Sequence, residues 1–259
     1  MKKLSSMATV TCVLAAIALF APARAWAYPA LQLYVEGGTY DSQTQTWVGS
    51  STTGSSARLW VIGDTGAAGV TSLSDIHLSA VYDVGQTAPT VSFTGSTTGG
   101  FGGFTDSSTA GSVGYVQTVT GGTPTLQDGS SLPSHGEYGA NRQWQEFSLG
   151  DFTLKDSPIA DFSGAFPSVG LSNSAQINVY SVTFSQAGNY HFDAWGWENS
   201  SVGKKIVQTS SQVVFAPFSH DAEVNVTSVP ELDGSAAGTS FALLCAGALV
   251  VTGRRRKTV

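Results

Sequence analysis

The sequence predicts an all-β body of the antiparallel β-sandwich kind, jelly-roll-like in outline, set between an N-terminal signal peptide and one C-terminal transmembrane helix. Three observations predict it. Apolar and polar residues alternate at period two along many short runs, as half-buried strands require when successive side chains point to opposite faces. Helical periodicity is scarce, and Gly, Asn and Asp punctuate the runs where turns would end them. Charged residues make up only 12% of the 259-residue chain, and the two ends carry long uncharged stretches. Many short strands without intervening helices favour packed sheets.

The first element is the leader. Lys2 and Lys3 precede an apolar run from Ala8 to Ala21, and small residues follow in A-x-A spacing at Ala23, Ala25 and Ala27. A basic start, a short apolar core and a small-residue site are the three parts of a secretory signal peptide. The apolar core falls short of the ~20 residues that span a bilayer. Cleavage is expected after Ala27, with Ala25 as the alternative, so residues 1–27 form the signal peptide and signal peptidase is an expected partner.

The body, 28–229, opens with Leu31, Leu33 and Val35 on one face. Leu59 and Val61 alternate with Trp60 and Ile62, and Ile76, Leu78 and Ala80 with His77, Ser79 and Val81. Val91 and Phe93 form a short pair. Thr94–Gly103 is too rich in Gly, Ser and Thr to bury much surface and is expected to be a long loop. Ile177 and Val179 lie opposite Tyr180, Val182 and Phe184. Tyr190, Phe192 and Ala194 alternate with His191 and Asp193. Ala187-Gly188-Asn189 between those two runs suggests a hairpin turn, and Val213-Val214-Phe215 suggests a buried strand.

Composition narrows the function. The body holds five Lys and Arg against sixteen Asp and Glu, a net charge of −11. Nucleic-acid binding needs a basic footprint, so it is not expected. Both cysteines, Cys12 and Cys245, lie in the terminal apolar segments, so the body must rely on its core rather than on disulfides. A serine hydrolase lacks its G-x-S-x-G turn, and no glycine-rich loop joins a strand to a helix. An enzyme is therefore not expected, although a glycosidase carboxylate pair would be set by the fold rather than by spacing.

His135, His191 and His220 each have an acidic residue within two positions, which invites a metal reading. No close ligand pair such as H-E-x-x-H supports it, and turn or sheet-edge residues that fix loops by backbone bonds are the plainer expectation. His191 and Asp193 would nonetheless share a strand face, and joint ligation is open to them. No cofactor is required; a structural calcium is possible, with Asp64, Asp83, Asp151, Asp156 and Asp161 near expected strand ends. Trp195 and Trp197, two apart, would form a stacking platform for an extracellular polysaccharide if both are exposed, and core otherwise.

The last element, 230–259, is a sorting and anchor segment. Residues 234–253 carry no charge, and Arg254, Arg255, Arg256 and Lys257 follow at once. That is a spanning-helix candidate whose basic end stays cytoplasmic. With Pro230-Glu231 ahead of it, the tail resembles the PEP-CTERM class of sorting signals, although Leu232 stands where the second proline is usual. The resemblance implies recognition at Pro230 and Glu231 by an exosortase-like enzyme.

Several stretches of the body resemble the bacterial choice-of-anchor N surface proteins. They are Pro29–Asp41, Leu132-Pro133-Ser134-His135-Gly136, Glu146–Phe152, Gln176–Tyr180, His191-Phe192-Asp193 and Ala216–Ala222. The resemblance implies a common body joined to differing anchors and a place at the cell surface or in the extracellular matrix. It supplies no catalytic residues. A carbohydrate- or calcium-binding adhesive module is the alternative, and a secreted hydrolase the third.

Overall fold

A computed structural model describes residues 28–94, 113–134, 136–162, 171–202 and 208–229. The expected signal peptide, the expected anchor segment and nearly all of the 94–103 stretch, expected to be a loop, lie outside the described residues. Among those described, no helix is long and apolar enough to cross a membrane.

The described chain is all-β. Its thirteen strands are β1 (Leu31–Val35), β2 (Thr39–Asp41), β3 (Thr46–Thr52), β4 (Ser56–Gly63), β5 (Val70–Asp83), β6 (Thr90–Phe93), β7 (Gly114–Thr120), β8 (Arg142–Phe152), β9 (Ser157–Ile159), β10 (Leu171–Thr183), β11 (Gly188–Val202), β12 (Gln208–Phe215) and β13 (Asp221–Thr227). They form two sheets. The smaller runs β1-β4-β10-β6, with β9 also on β10; the larger runs β2-β3-β13-β11-β5-β8-β7, with β12 also on β11. Every pairing is antiparallel except β13 with β3, which is parallel. The expected purely antiparallel arrangement is thus mixed at one place. No tight turn can create that pair, because parallel neighbours need a long crossover; here nearly the whole chain separates them.

Alternation explains the main core. Leu31, Leu33, Leu59, Val61, Tyr180 and Val182 from the smaller sheet meet Leu78, Ala80, Phe147, Leu149, Phe192 and Val224 from the larger one. The opposite face of the smaller sheet is buried as well. Tyr34, Trp60, Ile62, Ile177 and Val179 are covered by Ile159, which ends β9, and by Ala160 and Phe162 just after it. Gln32 ties that cover down: its amide donates to Ala160 O at 2.9 Å and its carbonyl accepts from Phe162 N at 2.8 Å. Both phases of β4 are apolar for this reason, as a strand with two buried faces should be.

Two expectations change. Ala187-Gly188-Asn189 is not a hairpin turn, because β10 belongs to the smaller sheet and β11 to the larger. The connection crosses between sheets, with Phe184 buried in the shared core. The strand at Val213-Val214-Phe215 is real, but its side chains are only half-buried. Among the described residues β12 pairs with β11 alone, which leaves its other long side without a described neighbouring strand.

Candidate functional site

The residues opposite the core on β5, β8, β11 and β13 make up the outer face of the larger sheet. That face carries His77, Ser79, Glu146, His191, Asp193, Trp195, Asp221 and Glu223. The 121–141 connection between β7 and β8 lies across part of it, seating Leu126, Leu132 and Tyr138 against Trp195. The register sets the cluster: His191 stands opposite Glu223 and Phe192 opposite Ala222, which brings Asp193 beside Asp221.

His191, Asp193 and Asp221 are all buried. The His191 Nε2 lies 3.3 Å from Asp193 Oδ2 and 3.7 Å from Asp221 Oδ2. Asp193 Oδ2 also accepts from the Tyr138 hydroxyl at 2.8 Å. Since Tyr138 spends its proton there, the Ser79 hydroxyl 2.5 Å away is the donor to Tyr138. Ser134, Glu137, Tyr138, His191, Asp193 and Phe218 line a slight indentation over the His191 and Asp193 side of the cluster. One ligand atom from each of His191, Asp193 and Asp221 lies within 4.8 Å of the others, and the same holds for Glu137, His191 and Glu223. Two overlapping donor sets therefore share one imidazole.

The electrostatics follow from burial. Burial pushes the Asp221 carboxyl up to about 8, against the pull of the His191 charge. Burial works to lower His191, but the charge and hydrogen bond of Asp193, joined by Asp221, outweigh it and hold the imidazole at about 9. Burial likewise raises Glu223 and, with the Asp193 charge, lifts Tyr138 well above the usual phenol range. A water-poor site with more carboxylates than cations favours protons or a metal ion.

The other histidines of the described chain sit differently. His77 bridges Glu146 Oε1 at 2.6 Å and Asp75 Oδ1 at 3.0 Å, and it stacks on Trp195. Glu146 also accepts from Gln117. His220, in the short 3-10 turn at Phe218–His220, lies 2.6 Å from Asp161 Oδ1. His135 lies outside the described residues. Neither His191 nor His77 is a turn or edge residue fixing a loop to backbone: both stand on interior strands and engage carboxylates.

The five aspartates at strand ends do not converge. Asp83 pairs with Arg142, Asp151 accepts from the backbone of Asp75, Asp156 accepts from Ser157, and Asp161 holds His220. Burial raises Asp64 to about 6. Its folded-state pKa exceeds its unfolded one, so stability should fall as pH rises from about 4 to about 6 and then level off. Asp64→Asn cannot ionise. Its stability relative to the parent should therefore improve between pH 4 and pH 7, by roughly 2–3 kcal/mol at most, measured as urea midpoints at each pH.

The aromatic platform is not formed. The register with β5 slips between Trp195 and Trp197, and Trp195 is buried beneath the 121–141 connection while Trp197 is half-exposed. No family model matches the chain, and no curated protein matches it either.

Proposed function

We propose that the chain is an exported, non-enzymatic protein of the bacterial cell surface or extracellular matrix, of the choice-of-anchor N kind, delivered by its leader and sorted through its tail. The observation that carries this reading is the placement of the two uncharged apolar segments. They bracket the all-β body, one ahead of a small-residue cleavage site and the other ahead of Arg254-Arg255-Arg256-Lys257. The body fits an extracellular role because its two packed sheets, read as a jelly-roll-like β-sandwich, need no disulfide. Signal peptidase and an exosortase-like enzyme are the processing partners, and the membrane holds the tail until it is cut near Pro230-Glu231. An adhesive module that binds calcium or polysaccharide is the second reading, favoured by the acidic outer face of the larger sheet.

The tail supplies the test. Moving a cation through hydrocarbon costs roughly 2.5–3.5 kcal/mol on insertion scales, so the basic cluster should stop transfer. Arg254→Ser, Arg255→Ser and Arg256→Ser together should shift uncut protein from the membrane to the soluble exported fraction. Deleting 230–259 should do the same. Unchanged fractionation and maturation in both variants would remove the tail from the account.

A further inference from the structure

We propose that His191, Asp193 and Asp221 form a binding site for one divalent first-row transition-metal ion on the outer face of the larger sheet, with Glu137 at its mouth. The proposal goes beyond export and sorting and does not depend on them.

The first argument is convergence. The three donors come from two neighbouring strands, all are buried, and their ligand atoms lie within 4.8 Å of one another. Strands place a site more rigidly than loops do, and the cross-strand register fixes this one. Tyr138 donates to Asp193 and is itself held by Ser79, an outer support that orients a ligating carboxylate.

The second argument is spacing, and the same molecule provides the comparison. His77 approaches Glu146, and His220 approaches Asp161, to 2.6 Å, the closeness of a direct hydrogen bond. The His191 Nε2 stands back from its two carboxylates at 3.3 and 3.7 Å. Metal bonds of about 2.0–2.2 Å to imidazole and carboxylate in tetrahedral array put neighbouring donors roughly 3.3–3.6 Å apart. His191 is thus paired with its carboxylates at spacings that also suit a shared coordination sphere.

The third argument is ion choice. An imidazole in the set selects zinc or a similar metal over calcium and magnesium, which prefer oxygen alone. Two carboxylates supply the charge that a dication needs in a dry site.

The experiment uses the full chain, purified in detergent and stripped with chelator, then titrated with zinc chloride by calorimetry with metal analysis of the dialysed product. One zinc per chain is expected. Asp221→Asn keeps the shape of the side chain and should unfold in chelator no earlier than the parent, yet bind zinc at least ~10-fold more weakly. His191→Gln should do likewise for binding, and Asp193→Asn serves if either variant fails to fold. Calcium chloride at the same concentration should neither bind at this stoichiometry nor displace zinc. Three results would each overturn the site: a parent that binds no zinc, folded variants that bind it as the parent does, or calcium preferred over zinc.

Discussion

Trp60→Ala should cost the body about 3–5 kcal/mol, the range for emptying a fully buried aromatic position. Trp60 sits on β4, a strand buried on both faces, and none of its side chain reaches solvent. Its ring meets Tyr34 edge-on at 5.6 Å, and its indole N–H donates to Glu36 Oε2 at 3.0 Å. Truncation removes packing and leaves Glu36 without that donor. The cluster is closed by Ile159, Ala160 and Phe162, held through Gln32 and through the Trp47 indole, which donates to Phe162 O. That clasp limits how far the surroundings can collapse into the void, which favours the upper part of the range. Urea unfolding of parent and variant measures it; a loss below ~1 kcal/mol would mean that the outer face of the smaller sheet is not a packed core.

His191→Ala should be nearly as costly in metal-free protein at neutral pH, again about 3–5 kcal/mol, because removing one partner of a buried charge group strands the others. Asp193 and Asp221 flank the imidazole and are buried with it. The charge that eases Asp221 is that of His191. The matching substitution on the acid side behaves differently. Asp221→Asn removes a buried carboxyl that already resists ionisation and leaves His191 paired with Asp193, so metal-free stability should hold or rise. Equal losses from the two substitutions would contradict this asymmetry.

Alternation made much of the fold legible. Leu31, Leu33 and Val35, the two phases of β4, the Ile76–Ala80 run, and the Tyr190–Ala194 run all lie in strands with the faces their spacing gives. β13 was as regular, with Ala222, Val224 and Val226 inward. No strand was expected there, although Asp221, Glu223 and Asn225 fill its alternate, outward positions. The sheet order was not legible, because pairings such as β13 with β3 join residues about 175 apart and depend on no local signal.

The site shows the same division. That His191 and Asp193 share a face follows from period two alone. That Asp221 and Glu223 join them follows from the register of β11 with β13, and that Glu137 and Tyr138 cover them follows from the path of 121–141. Neither is written in any short window. His77 was visible only as a polar alternate, and its partner Glu146 arrives from a strand 69 residues on. The tryptophan platform was lost to a distant segment: Leu126 and Leu132 of the 121–141 connection pack on Trp195 and bury it, which the spacing of Trp195 and Trp197 cannot foretell.

The central claim is an exported β body released from its leader, and intact mass of the protein recovered outside the cytoplasm tests it most directly. The account predicts a chain that begins at Tyr28, or at Trp26 if cleavage follows Ala25, with a far-UV spectrum dominated by strand and a melting temperature indifferent to reducing agent. Exported protein that still carries Met1, or a chain found only in the cytoplasm, would contradict it.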